Sequence, residues 1–170
     1  SIYASNVLGK EKPKVAIVNI GEEDHKGNTL TKEAYALLKN APIHFCGNIE
    51  GRGIPAGDAD VVVCDGFVGN VILKLTEGLA KTLLDNIKAI FKKNIFTMLA
   101  AVIVKGGLQD FKRKMDYTEY GGALLLGTKY PVIKGHGSSN AKAVYSAIRQ
   151  AKRFIETDVV TKIKTDIARM

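Results

Sequence analysis

The chain is 170 residues long, 46% hydrophobic and 25% charged, the balance of a folded globular protein with one domain's worth of core rather than a disordered chain. Cys46 and Cys64 are its two cysteines and form no CxxC pair, and its three histidines show no paired spacing, which excludes a disulfide scaffold and argues against any metal centre. No apolar run approaches the roughly 20 residues of a spanning helix, and the start of the chain lacks a signal-peptide pattern, so a reducing cytoplasm is the expected address.

In chain order, the first element is a buried strand over 14–20, carried by Val15, Ala16, Val18 and Ile20, which runs into a polar loop over 21–28. Helical spacing of Leu30, Ala34, Leu37 and Leu38 predicts a helix over about 30–38. Short strands follow at 43–46 and 59–64, the latter bounded by Gly57 and Gly66. Ile72, Leu75, Leu79, Leu83, Ile87 and Ile90 recur at steps of three and four, the apolar stripe of a long helix. A second helix is expected over about 95–115, kinked or broken at Gly106-Gly107. Residues 123–126 and 132–133 read as short strands joined by a turn, 141–155 as a helix, and 159–169 as a last helix or a fraying tail. Short apolar strands alternating with helices predict an α/β fold with a largely parallel sheet under helical cover.

The formal net charge is +8, and it is unevenly spread. Lys88, Lys92, Lys93, Lys105, Lys112, Arg113 and Lys114 face Asp110 alone, and between them lies the apolar run 95–104 with Phe96 and Leu99. Such a stretch can lie in the interface of an anionic membrane, each lysine or arginine adding about 1 kcal/mol. It can equally be a buried or dimer-forming helix whose lysines reach solvent. A nucleic-acid surface is disfavoured, because no aromatic residues interleave with the lysines as stacking platforms.

Three times an apolar strand runs into a glycine-rich polar loop that opens a helix. The loops are 21–28 with Lys26 and Asn28, 65–70 with Asp65, Gly66, Gly69 and Asn70, and 135–140 with His136, Gly137, Ser138, Ser139 and Asn140. In open α/β sheets ligands bind beyond the carboxyl ends of the strands, and helix N-termini there favour anions. Any one loop could be a well-capped turn; three together point to a phosphate-type site. His136, between two glycines and beside two serines, suits a proton donor or phosphate contact, and Lys26 is the corresponding cation of the first loop.

Other motifs fail. Gly51-Arg52-Gly53-Ile54-Pro55-Ala56 imitates a dinucleotide fingerprint, but no helix pattern follows and residues 55–58 read as a turn. There is no P-loop lysine signature and no GxSxG elbow. His44 and Cys46 share one face of a strand, as core or cleft wall, and Cys64 reads as a buried small hydrophobe rather than a nucleophile.

Six blocks carry a resemblance: Asn19-Ile20-Gly21-Glu22-Glu23, Lys26-Gly27-Asn28, Gly47-Asn48-Ile49-Glu50-Gly51-Arg52, Asp65-Gly66-Phe67-Val68-Gly69-Asn70, Asp116-Tyr117-Thr118-Glu119-Tyr120-Gly121-Gly122 and His136-Gly137-Ser138-Ser139-Asn140. In this order, over roughly residues 10–157, they resemble the bacterial phosphate acyltransferases (PlsX). The resemblance implies transfer of a fatty acyl group from acyl carrier protein to inorganic phosphate, giving acyl phosphate for phospholipid synthesis, with no cofactor. It implies a three-layer fold like that of the isocitrate/isopropylmalate dehydrogenases, a homodimer, and a protruding helical hairpin associated with the membrane, here about 88–115. Members are about twice as long, so these 170 residues are expected to be the C-terminal half.

In that chemistry phosphate is the nucleophile, and the protein positions it and stabilises an oxyanion. Asn70 and nearby backbone N–H groups are the candidates for the carbonyl oxygen, and Lys26, His136 and Ser138 for the phosphate, with His136 also able to shuttle a proton. Asn28, Asp65, Gly66, Gly69, Gly137, Ser139 and Asn140 line the substrate loops, and Lys92, Lys93, Phe96, Leu99, Lys105 and Lys112 are the candidates for membrane or partner contact. A basic surface suits the acidic carrier protein. Two alternatives stay open: a short-chain phosphotransacylase using acyl-coenzyme A, and a non-catalytic membrane- or carrier-binding fragment.

Overall fold

Val15, Ala16 and Ile17 are buried on both sides, which places their strand in the middle of a sheet. The computed structural model describes residues 1–114 and 121–168, without the side chains of residues 112 and 114; the expected helix end at Met115, the block 116–120 and the tail beyond 168 lie outside the described residues. Among the described residues, twelve elements run in the order α1 (Ile2–Leu8), β1 (Val15–Val18), α2 (Thr29–Asn40), β2 (Phe45–Ile49), α3 (Gly53–Ala56), β3 (Val61–Val63), α4 (Gly66–Phe91), α5 (Ile95–Lys114), β4 (Ala123–Leu124), β5 (Ile133–Lys134), α6 (Ala141–Glu156) and α7 (Val159–Ala168). They group into two units, the first made of Ser1–Asp65, Ala123–Lys134 and Ile148–Met170, the second of Gly66–Gly122 and Gly135–Ala147.

In the first unit β1 lies between β2 and β3, parallel to both. The expected parallel sheet is present, and a separate antiparallel pair, β4 with β5, matches the expected short strands. β2 lies later than the predicted 43–46 because it contains a bulge: Val15 pairs with Phe45 but Ile17 with Asn48, so β2 carries one extra residue, and Gly47 takes φ +95 there. The bulge brings Asn48 and Ile49 to buried positions at the strand's carboxyl end.

A small core forms where Val7 of α1, Phe154 of α6 and Val159 of α7 pack together, with Leu124 and Ile133 of the hairpin against them. Tyr3 tilts over Phe154 at 5.6 Å between ring centroids, and Lys162 donates to Asn6 Oδ1 at 2.8 Å. α7 is thus a packed helix rather than a fraying tail.

The second unit opens with α4, 26 residues long, and α5, 20 residues long. Their short connection is held by a reciprocal cap. Asn94 Oδ1 accepts from the Thr97 N–H at 2.9 Å, Thr97 Oγ1 accepts from the Asn94 N–H, and the Thr97 hydroxyl lies 3.1 Å from the Phe91 carbonyl. α5 runs through Gly106 and Gly107 without the break expected there as the alternative to a kink; neither glycine has a positive φ, and a helix interior tolerates each at about 1 kcal/mol relative to alanine. Between the two helices lies an apolar cavity of about 450 Å³ lined by Leu84, Ile87, Phe91, Met98, Val102 and Leu108. Among the described residues, no helix is long and apolar enough to cross a membrane.

Candidate functional site

In the first unit the carboxyl ends of β1 and β2 hold the loop 21–28 through two asparagines. Asn19, just past β1, donates from Nδ2 to Asn48 Oδ1 at 3.0 Å and to the Lys26 carbonyl at 3.0 Å, while Asn48 donates to the Glu23 carbonyl at 2.7 Å. The loop therefore hangs on side chains rather than on a strand ladder. Gly27 takes φ +103, and a Cβ there would run into Thr31 and the Asn19 amide, so the loop cannot hold another residue at that point without rearranging. Asn28 closes it, accepting from the Thr31 N–H at 2.9 Å as N-cap of α2. Asp24 is tied to α2 by the Tyr35 hydroxyl and by Lys39 at 3.5 Å; the Tyr35 hydrogen bond, then Lys39, hold its carboxyl below the usual range and the same bond raises the Tyr35 hydroxyl. Lys26 is half-buried and sits 4.0 Å from the Glu23 carboxylate.

The second expected loop is not a loop. Gly66, Gly69 and Asn70 already belong to α4, and Asp65 directly precedes it. The reason is visible in the residues: Phe67 with Val71 and Val68 with Ile72 extend the four-residue spacing toward the N-terminus, and neither Gly66 nor Gly69 has a positive φ. Asn70 is thus an exposed helical side chain.

The third loop, in the second unit, forms as expected. Asn140 Oδ1 accepts from the Ala143 N–H at 3.0 Å and caps α6. Ser139 closes a turn on the His136 carbonyl with its N–H at 3.0 Å and its hydroxyl at 2.6 Å. The His136 ring is exposed and touched at both nitrogens: Nδ1 is 2.7 Å from Ser138 Oγ and 3.2 Å from the Ser138 N–H, and Nε2 is 3.4 Å from Lys74 Nζ. Gly121, with φ +76, lies so close to α6 that a Cβ would run into the backbone of Ala143 and Ala147. His136, Ser138, Ser139, Asn140 and Lys74 thus form one polar cluster at the start of α6.

Two groups were missed from the sequence. Lys74 follows Asn70 by four residues, so helical periodicity alone would have placed both on one face of α4. The Asn19–Asn48 link depends on the β2 bulge and had no sequence signal. Cys64 is exposed rather than buried, because β3 pairs with β1 alone among the described strands; burial that remains, together with the Asp65 carboxylate, pushes its thiol above the ordinary range. His44 Nε2 and Cys46 Sγ lie 3.8 Å apart on an exposed face. Among the described residues no three metal-ligating side chains cluster.

Phe96, 79% exposed, and Leu99, 59% exposed, lie on α5, and Lys92, Lys93 and Lys105 are exposed, Lys92 and Lys105 bordering the cavity between α4 and α5; the Lys112 side chain lies outside the described residues.

A model of the family described as "Fatty acid synthesis protein" matches residues 1–162. The chain is 54% identical over 168 residues to a phosphate acyltransferase of Alkaliphilus oremlandii, covering 99% of this chain and 50% of that protein. It is 52% identical over 167 residues to a phosphate acyltransferase of Thermoanaerobacterium thermosaccharolyticum, covering 98% of this chain and 50% of that protein. A phosphate acyltransferase of Brevibacillus brevis is 53% identical over 159 residues, which are 94% of this chain and 48% of that protein. The chain spans about half the length of these curated relatives.

Proposed function

The chain belongs to the fatty acid synthesis protein family, and on that premise we propose that it is the C-terminal half of a phosphate acyltransferase that moves a fatty acyl group from acyl carrier protein to inorganic phosphate. A phosphate oxygen attacks the thioester carbonyl carbon, the tetrahedral oxyanion collapses, the C–S bond breaks, and the thiolate leaves and takes up a proton. The products are acyl phosphate and free carrier protein. No enzyme nucleophile is required, so catalysis rests on placing phosphate and stabilising the oxyanion.

The observation that carries this reading is the His136–Ser138 pair, 2.7 Å apart, beside the Asn140-capped start of α6. Ser138 and His136 are assigned to the phosphate, with His136 also able to pass a proton to the leaving thiolate, and Asn70 on α4 to the carbonyl oxygen. Lys26, on its own loop in the first unit, is assigned as a cation for an anionic substrate. α4 and α5 are proposed as a protruding helical hairpin whose basic, apolar turn meets an anionic membrane or the acidic carrier, in a peripheral cytoplasmic homodimer of isocitrate/isopropylmalate dehydrogenase-like fold.

The test is steady-state formation of acyl phosphate by the full-length protein with phosphate varied at saturating acyl carrier protein. His136→Gln keeps a hydrogen-bonding group but removes the titratable proton; a contact role raises the phosphate KM alone, and a proton-transfer role also lowers kcat by roughly 10²–10⁴-fold. Wild-type kinetics would reduce the loop to a capped turn. Because the chain is half the length of its relatives, assaying it alone beside the full protein separates the enzyme from the binding-fragment reading, and exchanging acyl carrier protein for acyl-coenzyme A separates the two donors.

A further inference from the structure

The cavity between α4 and α5 is an apolar groove with a cationic border. Apart from Gln109, the polar side chains that line it are Lys88, Lys92 and Lys105, and among the described residues no carboxylate lines it. Lys88 is held by Asp85, three residues earlier on α4, at 3.1 Å, whereas Lys92 and Lys105 have no ion-pair partner among the described residues. The lining runs from Leu84 to Lys92 on α4 and from Met98 to Gln109 on α5, which is about 12 and 16 Å of helix at about 1.5 Å per residue. That is the reach of roughly 10–13 carbons of an extended alkyl chain, with bonds of about 1.5 Å at tetrahedral angles. The volume, about 450 Å³, is that of a small-molecule site.

A long, narrow apolar trough bordered by unmatched positive charge fits a single alkyl chain that ends in an anion. We infer that the groove binds one long-chain acyl anion, its chain between the two helices and its head at the lysines. In the reaction proposed above, on which this last identity rests, the occupant is the acyl phosphate released. A second copy of the chain fits less well, because a two-fold contact centred on the groove would set these lysines against themselves. A bilayer fits less well too. The side chains of α5 offered to a flat surface include exposed Phe96 and Ile103, and neither lines the groove. Both walls belong to the second unit, so the site is complete within it.

The probes are monoalkyl phosphates, which keep the chain and the charged head but have no acyl carbon to transfer. They are titrated, below the concentration at which they form micelles, into the full-length protein without lipid. Affinity should rise by up to about fourfold per added CH₂ and level off at roughly 10–13 carbons. Lys92→Ala and Lys105→Ala should each weaken it by up to about fivefold, and the advantage of the phosphate over the alkanol of equal length should shrink when both are made. Val102→Asp should abolish the binding, and His136→Gln should leave it in place. A probe with a diazirine on its chain should label peptides within residues 84–109 of the wild type, a result that needs no variant to fold. Labelling confined to other peptides, affinity independent of chain length, or binding lost in His136→Gln but kept in Val102→Asp overturns the inference. So does wild-type protein that takes up no probe: sedimentation with anionic vesicles would then give the groove to a bilayer, and dissociation of a dimer by Val102→Asp would give it to a second copy. If the full-length protein forms no acyl phosphate while the probe binds and labels as stated, the proposed reaction fails and the groove stands as a site for long-chain anions.

Discussion

Asn19 and Asn48, at the carboxyl ends of neighbouring parallel strands, are joined amide to amide at 3.0 Å, and each also holds a carbonyl of the loop 21–28. The two side chains therefore do for this loop what a strand ladder would do for a hairpin. Their position is a product of the β2 bulge, which carries Asn48 opposite Ile17.

Asn48→Ala should accordingly loosen the loop without dissolving the sheet. It removes the acceptor of Asn19 Nδ2 and the donor to the Glu23 carbonyl at a nearly buried site, an expected loss of about 1–3 kcal/mol. Urea unfolding measures the loss, and amide exchange should quicken over residues 21–28 before it does so in β1. Equal acceleration in both would show that the asparagine supports the whole sheet instead.

Two glycines with similar backbone angles should respond differently to alanine. Gly121 and Gly127 have φ of +76 and +85, so each alanine carries the left-handed penalty of roughly 1–2 kcal/mol. At Gly127 the Cβ meets open space, whereas at Gly121 it meets the α6 backbone, which cannot yield as a side-chain tip could. Gly121→Ala should lower the unfolding midpoint clearly more than Gly127→Ala; equal losses would mean that α6 shifts without penalty.

Asp60 links the ends of its segment by accepting from Lys10 Nζ and from the Lys14 N–H, each at 2.9 Å. The Lys10 hydrogen bond, then that from the Lys14 backbone, hold its folded carboxyl below the ordinary range. A depressed folded value means the stabilisation is complete above the unfolded carboxylate range and is lost as pH falls through the folded value. The stability gap between the wild type and Asp60→Asn should be widest near neutral pH and close on acidification, read from melting temperatures across the series. A gap independent of pH would show that the effect does not come from the charge of the carboxylate.

If the basic, apolar surface of α5 meets a membrane, its attachment should depend on charge. Alanine at Lys92, Lys93, Lys105 and Lys112 together should remove several kcal/mol of attraction, at about 1 kcal/mol per lysine, and abolish sedimentation with anionic vesicles at physiological salt. Circular dichroism should be unchanged, because Lys92, Lys93 and Lys105 are exposed. Undiminished binding to anionic vesicles would leave the surface to a protein partner.

The elements legible in the sequence are those whose order is local. The helical spacing that announces α2 and α4 is a property of the helix itself, and the capped loop before α6 is written in Asn140 and its serines. What escaped depends on contacts from afar. α1 has seven residues and few signals, and is held because Ala4 and Val7 find burial elsewhere in the first unit. Gly47 and Asn48 look like turn residues but form a strand because β1 supplies a partner across the bulge. Gly66 and Gly69 look like loop residues but join a helix, since two glycines do not outweigh a long apolar stripe. In the candidate site the histidine and serines were recognisable by type, whereas Lys74 looked like one more surface lysine until α4 placed it against His136.

The cluster of Val7, Phe154 and Val159 has a consequence for synthesis. A ribosome delivers α1 well before α6 and α7, so Val7 meets Phe154 and Val159 only after the intervening residues have followed it. α4 and α5, in contrast, touch as neighbours in sequence and can pair soon after leaving the exit tunnel. During synthesis, therefore, α4 and α5 can be assembled before the cluster of Val7, Phe154 and Val159 has closed, an interval in which a chaperone would find its apolar side chains unjoined.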